Sequence, residues 1–551
     1  MKLSNTLALQ MAVAAHQNGE LTNAERIYRA ILNSPKDFPV ATRDVDITAT
    51  AYNNLGFILQ QQGDLESAIS NYRQAARINP NYSEAHNNLG YALQLSGTTN
   101  AAIASYRRAI KINPSFVEAY HNLGQALREV GSLKDSADCY QKIVDLQSNN
   151  ADAHNALGAA LQLKGDLEAA IQSFETAVRL DPEYSEAYNN MGGAQQANGN
   201  PDAAIKSCRR AIELRPDYAN AYHNLGHALS SAGLISEAIE AYQQVLVFQS
   251  DSLQAYNSLG NILRKEGRFE EALYYFETLN QPRFQNMLES NPSENSFWQN
   301  TKSQALECLY ILGRYDELQE RLALLAEEGD CNRRVSAVSA FVNHQLKTKD
   351  LHPFCTNPLD FVHIGSLSEH VTDVSGFTER LIEEGSGEIQ VWEPEHGVTQ
   401  SGYQTPNTIF EAGENCALLE KILRDEISSY VARFLPEDCL YIRSWPVEFN
   451  LMGWHVRLVK SGYQKSHLHP PGWMSGVVYL QIPDSGNDEG AIEFSLHGYD
   501  LPILDNNIPI RVHRPKKGDI ALFPSSLFHR TIPFTEHTDR CVIAFNLVPL
   551  P

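Results

Sequence analysis

Four side chains toward the C-terminal end of the sequence could do chemistry together. His467 and His469 stand two apart in "QKSHLHPPGWMSGVVYLQIP". His529 follows about sixty residues later in "GDIALFPSSLFHRTIPF", and Arg540 lies eleven residues beyond that in "DRCVIAFN". On extended chain, residues i and i+2 point to one face, so the first two imidazoles can converge on a single acceptor. Imidazole is the commonest side-chain metal ligand. The plainer alternative is a pair of polar residues at the mouth of a strand, and the two histidines alone do not decide it. No nucleophile elbow, phosphate loop or Gly-rich dinucleotide pattern competes for the chemistry. His455, His497, His513 and His537 lack comparable company and are read as non-ligands; Gly518-Asp519 reads as a turn.

The elements that must position these side chains are β-strands. Strands are expected in "YIRSWPVEFNLMG", "WHVRLVKSG", "GVVYLQIP", "AIEFSL", "IRVHRP", "DIALFPS" and "RCVIAFNLVP", bounded by turn residues at 483–490 and 515–518. This places His529 at the end of the "DIALFPS" strand and Arg540 on the strand after it. Two helical patterns precede the strands, near "DVSGFTERLIEEG" and "NCALLEKILRDEISSYVARFL". Helices followed by many short strands predict an α+β unit with a sandwich or barrel core.

The first half of the chain has a different grammar. Leu-Gly or Met-Gly recurs at Gly56, Gly90, Gly124, Gly158, Gly192, Gly226 and Gly260, always 34 residues apart. An aromatic or His precedes each Leu or Met by three, and Ala-x3-aromatic follows, as in Ala68 with Tyr72. A proline often closes the unit, as at Pro80, Pro114, Pro182 and Pro216. Each unit reads as two short amphipathic helices that cannot bury their apolar face alone, so units must stack. This pattern resembles the tetratricopeptide repeat, seven units in register. A divergent unit is expected near Leu9 to Leu32, offset by an insertion near 36–46, and residues 297–327 read as helical capping.

Arrays of this kind bind peptides or proteins on a concave face. The residue before each Leu or Met is Asn54, Asn88, Asn122, Ala156, Asn190, Asn224 or Ser258. Asn is a mediocre helix former, so five in mid-helix call for a reason. The "HNNLG" and "YHNLG" stretches are similar to the repeats of the O-GlcNAc transferases. That resemblance implies a ladder of amides that binds the backbone of an extended peptide. The other reading is duplication of one harmless Asn.

After about residue 350 the stretches "GYQTPNTIF", "HLHPPGWMSGVVYLQIP", "GAIEF", "GDIALFPSSLFHRTIPF" and "DRCVIAFN" together resemble the 2-oxoglutarate/Fe(II) oxygenases that are fused to tetratricopeptide repeats. The resemblance covers about residues 353–551. It implies a double-stranded β-helix (a jelly-roll barrel) with flanking helices, and Fe(II) and 2-oxoglutarate as cofactor and cosubstrate. It also implies His467, His469 and His529 as metal ligands. Arg540 would then anchor the distal carboxylate of 2-oxoglutarate through a bidentate pair, unless it forms a surface salt bridge with Asp539 or Glu536. Tyr479 and Trp473 would line the cosubstrate pocket or belong to the core. The departure is His469, where the commoner motif carries Asp or Glu. Three neutral imidazoles leave the full +2 charge on the metal. His469 beside the metal with an unidentified acid as third ligand, or a degenerate site, are the alternatives.

The chain so read is α+β with two parts: an N-terminal all-α tetratricopeptide superhelix and a C-terminal jelly roll. The boundaries are 1–48 for the divergent repeat and insertion, 49–286 for the seven repeats, 287–350 for a helical cap and 351–551 for the oxygenase-like part. The expected function is a dioxygenase whose repeats recruit a protein or peptide substrate. A peptide-binding scaffold with a degenerate oxygenase part, or a small-molecule oxygenase that uses its repeats for assembly, are the alternatives. The 551 residues carry 44 Lys plus Arg against 66 Asp plus Glu, a net charge of −22. That argues against nucleic-acid and anionic-membrane partners. Eight scattered cysteines without CxxC suggest reduced thiols and a cytoplasmic protein. The first twenty residues are read as helix rather than signal peptide.

Overall fold

The computed structural model describes residues 5–33, 45–281, 283–284, 295–350, 352, 354–355, 357–388, 390–393, 398–483, 487–499, 501–535 and 538–550, with side chains of 295–299 left aside. The expected insertion near 36–46 and His537 fall largely or wholly outside them. The chain forms two compact units, Met1–Ser250 and Asp251–Pro551.

Among the described residues the first unit forms helices joined by turns, as the 34-residue period predicts. The pairing of Leu-Gly with Ala-x3-aromatic has a direct cause. A Cβ at Gly90 would sit 2.6 Å from the Tyr106 ring, and at Gly158 2.7 Å from Phe174, so only glycine lets the two helices of a unit close on the aromatic. Ala68, Ala102 and Ala170 are fully buried for the same reason. The divergent first unit forms as helices Asn5–Gln17 and Leu21–Leu32.

The second unit begins with the last repeat, helices Leu253–Lys265 and Phe269–Leu279. The cap follows as helices Asn295–Ile311, Tyr315–Glu327 and Arg333–Leu346. The first cap helix repeats the inter-unit grammar: Gln304 donates to Asn261, and Glu307 pairs with Arg264 at 3.1 Å.

Ten strands follow: β1 His363–Ser366, β2 Val391–Trp392, β3 Thr399–Gln404, β4 Phe449–Gln464, β5 Met474–Gln481, β6 Ile492–Ser495, β7 Ile510–His513, β8 Asp519–Pro524, β9 Phe528–Thr531 and β10 Arg540–Pro549. They make two antiparallel sheets, ordered β1-β8-β5-β10-β4-β3-β2 and β7-β6-β9, and neither closes on itself among the described residues. Period-two alternation splits β10 cleanly. Cys541, Ile543, Phe545 and Leu547 join a cluster with Phe377, Leu381, Leu419, Leu423 and Tyr430 of helices Val374–Gly387 and Glu414–Phe434. Val542 and Ala544 face the other way, into a cluster with Trp454, Tyr479, Phe523 and the small-sheet residues Ile492 and Phe494. The large sheet is thus covered by helices on one face and by the small sheet on the other.

Three expectations change. "YIRSWPVEFNLMG" and "WHVRLVKSG" are not two strands: Leu440–Arg443 is a helical turn and β4 runs unbroken for 16 residues. β1, β2 and β3 have no strong apolar pattern and were not expected. His529 does not end the "DIALFPS" strand; a turn at 524–527 separates it, and it lies on β9 in the other sheet.

Candidate metal centre

The link between β4 and β5 passes the end of β9 once. His467 and His529 exchange both backbone hydrogen bonds at 3.0 Å, an isolated antiparallel bridge. The bridge sets the two imidazoles side by side, with ring centroids 4.3 Å apart. His469, two residues on, brings its ring to 4.9 Å from His467 and 5.1 Å from His529. One ring nitrogen from each residue lies within 4.8 Å of those of the other two. Among the described residues no Asp or Glu joins this group, so the acid considered as an alternative third ligand is not found there.

Two of the rings are fixed from behind. His467 Nδ1 donates to the Lys465 carbonyl at 2.6 Å and His529 Nδ1 to the Leu527 carbonyl at 3.2 Å. Because a carbonyl only accepts, both Nδ1 atoms carry the proton and Nε2 is left as the ligand atom. The His469 ring packs 5.5 Å from Trp454, and no hydrogen bond holds its nitrogens among the described residues. Burial lowers the pKa of all three, strongly for His469 and His529, where the neighbouring imidazoles lower it further. The neutral, metal-ligating form is the one the site favours.

Arg540 opens β10 and points into the space between the sheets. It is 1% exposed, its Nε donates to the Gly490 carbonyl at 3.0 Å, and its Nη1 has no partner among the described residues. Its guanidinium lies 5.2 Å from the Tyr479 ring centre. Tyr479 is fully buried, and its hydroxyl has no partner among the described residues either. Burial raises the Tyr479 pKa to about 12. The salt bridge considered for Arg540 does not form with Asp539, which pairs instead with Arg457 at 2.7 Å; Glu536 lies outside the described residues. A buried guanidinium without a counter-ion is costly, and an anion placed against Nη1 and the Tyr479 hydroxyl would satisfy both. The β6–β9 ladder connects this place to the histidines. Phe494 pairs with His529 and Ile492 with Thr531, and Gly490 follows beside Ile532. Three imidazoles and a buried cation with a free hydroxyl therefore fit a divalent metal beside a carboxylate-bearing ligand.

The remaining candidates divide. Trp473 lies on the helix side, its Nε1 bonded to the Tyr441 carbonyl at 2.9 Å, and lines no part of this space. His455 is buried against Gly385, His497 bonds the Leu501 carbonyl and His513 pairs with Asp519 at 3.0 Å; none joins the triad. The Lys465, Leu527 and Gly490 carbonyls could not be foreseen, because backbone acceptors carry no residue-type signal.

The repeat asparagines are half-buried and engaged. Asn88, Asn122, Asn190 and Asn224 each donate from Nδ2 to Asn53, Asn87, Asn155 and Asn189 of the preceding unit at 2.9–3.1 Å. Asn54 donates to the Tyr28 hydroxyl at 3.1 Å. These amides fasten one unit to the next.

Comparison with known proteins follows the same division. Residues 452–546 match the family model described as "Putative 2OG-Fe(II) oxygenase". Models described as "TPR repeat" match residues 58–97, 95–131, 124–165 and 163–199, and those described as "Tetratricopeptide repeat" match 183–246 and 223–283. Among solved structures, MamA is 28% identical, with 29% of this chain and 95% of that one covered and a TM-score of 0.28. YrrB, titled a TPR protein with an unusual peptide-binding site, is 22% identical (33% and 95% covered, TM-score 0.29). MamA 41-end from Desulfovibrio magneticus RS-1 is 24% identical (31% and 96% covered, TM-score 0.29). Comparison with curated proteins gives no match.

Proposed function

For a chain that joins tetratricopeptide repeats to a C-terminal domain of the 2OG-Fe(II) oxygenase family, we propose a 2-oxoglutarate- and Fe(II)-dependent dioxygenase of the hydroxylase kind, whose repeats recruit a protein or peptide. The observation that carries the proposal is the convergence of His467, His469 and His529 on one point, with an unpaired, buried Arg540 on the same inner face.

In this reading the two facing sheets are the halves of a jelly roll, and residues 351–551 hold the catalytic part. His467, His469 and His529 would hold the metal, each offering one ring nitrogen. The bound iron and keto acid supply the oxidising chemistry, coupling decarboxylation of 2-oxoglutarate to attack on a C–H bond. The protein binds and orients. Lys465 and Leu527 carbonyls hold two rings in the ligating tautomer. Arg540 and Tyr479 receive the distal carboxylate, a charge-assisted contact in a dry site. The buried face between the sheets excludes water. Residues 49–286 form the recruiting array, joined by the cap at 287–350. The Oδ1 of Asn88, Asn122 and Asn224 would accept from a peptide backbone while Nδ2 clamps the repeats; the Oδ1 of Asn54 and Asn190 already accepts from Asn53 and Asn189.

All eight cysteines are free. No helix among the described residues is long and apolar enough to cross a membrane. Free thiols suit a reducing compartment, which is the basis for reading the protein as cytoplasmic.

The test is iron-dependent turnover of 2-oxoglutarate to succinate by wild type and His469→Ala, with candidate peptides added. Turnover that peptide stimulates and the substitution abolishes supports the proposal. No turnover, with peptide capture equal in both proteins, makes the chain a scaffold.

A further inference from the structure

The cap helix Arg333–Leu346 and the metal centre belong to one mechanical unit, and the link is specific. Arg333 stands at the N-terminal end of that helix, inside the same compact unit as the sheets. Its Nε donates to the Gly472 carbonyl at 2.9 Å and its Nη2 reaches the Pro471 carbonyl at 3.4 Å. Its third nitrogen donates to the Cys331 carbonyl at 3.0 Å, and its plane lies 5.4 Å from the Trp473 ring. Every partner is a carbonyl or a ring; no carboxylate neutralises it in the ion pairs of the described residues.

What Arg333 grips is the turn that carries His469. The turn is closed by Gly472 N–H donating to the His469 carbonyl at 2.9 Å, and His469 N–H donates to the Ser525 carbonyl at 3.2 Å. Of the three imidazoles, His469 is the one whose ring has no hydrogen bond behind it. Its direction is therefore set by its backbone, and its backbone by this turn. The next residue, Arg334, works on the other side of the site. Its Nη1 reaches the Tyr499 hydroxyl at 3.4 Å, and the Tyr499 ring stacks edge-on at 4.7 Å against Phe528, the neighbour of His529.

Resting on the metal reading above, we infer that Arg333 is a positioning residue for the metal centre: its guanidinium fork fixes the His469–Gly472 turn and through it aims the His469 ring. A planar fork that spans two successive carbonyls does what a single ammonium cannot. Partners behind a ligand typically change metal affinity 10–100-fold, so loss of this grip falls in that range. The catalytic half therefore starts before residue 350, inside the helical cap.

The test is Co(II) titration of the full-length protein, read by the visible bands of the bound ion, for wild type, Arg333→Met and Arg333→Lys. Circular dichroism and apo-protein thermal unfolding control for folding. The expected result is Co(II) binding about 10–100-fold weaker in Arg333→Met with altered band positions, and an intermediate loss in Arg333→Lys. Unchanged affinity and bands in a folded Arg333→Met overturn the inference. Should Arg333→Met not fold, Arg333→Lys decides alone: wild-type affinity and bands in it overturn the inference. Wild type that takes up no Co(II) overturns the metal reading itself, and the positioning role falls with it, before any variant is compared.

Discussion

The repeat array and the sheet region obey opposite rules of redundancy. In the array most contacts recur at intervals of about one repeat: a glycine lies under an aromatic in six units, with Cys208 in that place above Gly192, and an asparagine donates to the unit before at five positions. In the sheet region the decisive contacts are not repeated, as in the His467–His529 bridge or the buried Arg540 beside Tyr479. Redundant contacts spread stability, so one change costs a little. Singular contacts concentrate function, so one change costs nearly all of it.

The largest effect tests that contrast at its sharp end. If His467 is a ligand as proposed, His467→Ala removes it with half of the side-by-side pair, and metal affinity should fall by about 100-fold or more, beyond the loss typical of a supporting residue. Isothermal titration with Co(II), beside unchanged helical circular dichroism, checks it. A loss under tenfold would mean that the triad does not act as one site.

The cap lies between the extremes. Asp330 is buried beside Lys302 Nζ at 2.8 Å, the Asn332 N–H at 2.7 Å and His352 Nε2 at 3.6 Å. Burial pushes its pKa up, but these partners win and hold it at about 2. A depressed carboxylate pKa adds stability above its unfolded value and loses it as pH falls through the folded one. Wild type should exceed Asp330→Asn by about 2 kcal/mol near pH 6 and converge with it between about pH 4 and pH 2. Urea midpoints across that range read the difference; a gap that persists at pH 2 contradicts the assignment.

Within the array, Gly90→Ala puts a Cβ against the fully buried Tyr106 ring. Overpacking of about 1–3 kcal/mol, offset by up to about 1 kcal/mol of helix propensity, leaves a net loss of about 1–2 kcal/mol with metal affinity intact. Asn88→Ala should cost least, about 1 kcal/mol, from one inter-unit hydrogen bond and a stranded Asn53. A larger loss of peptide capture than of stability in Asn88→Ala would show that the amides also serve a ligand.

The same contrast explains what could be read from the sequence. The repeats were legible because a period of 34 is printed seven times, and the Gly–aromatic pairing that causes it is local. The histidines and Arg540 were legible because residue type and spacing both carry signal. β9 was not, because in "FPSSLFHRTIPF" a tight turn, closed by Leu527 N–H on the Pro524 carbonyl, separates two short strands that read as one. β3 was not, because "TQSGYQ" has no apolar alternation to mark it, although it pairs with both β2 and β4. Arg333 was invisible: an arginine at a helix start gives no hint of a turn 138 residues away. The peptide-ladder reading of the asparagines missed their inter-unit role because such bonds join residues 35 apart.

The central claim is a metal and keto-acid site built by His467, His469, His529 and Arg540. Anaerobic titration with Fe(II) and 2-oxoglutarate tests it most directly, followed through the weak visible charge-transfer band of a chelated keto acid. A band should form in wild type and vanish in His529→Ala, and Arg540→Ala should bind 2-oxoglutarate more weakly with metal binding kept. No band in wild type at saturating metal and keto acid would contradict it.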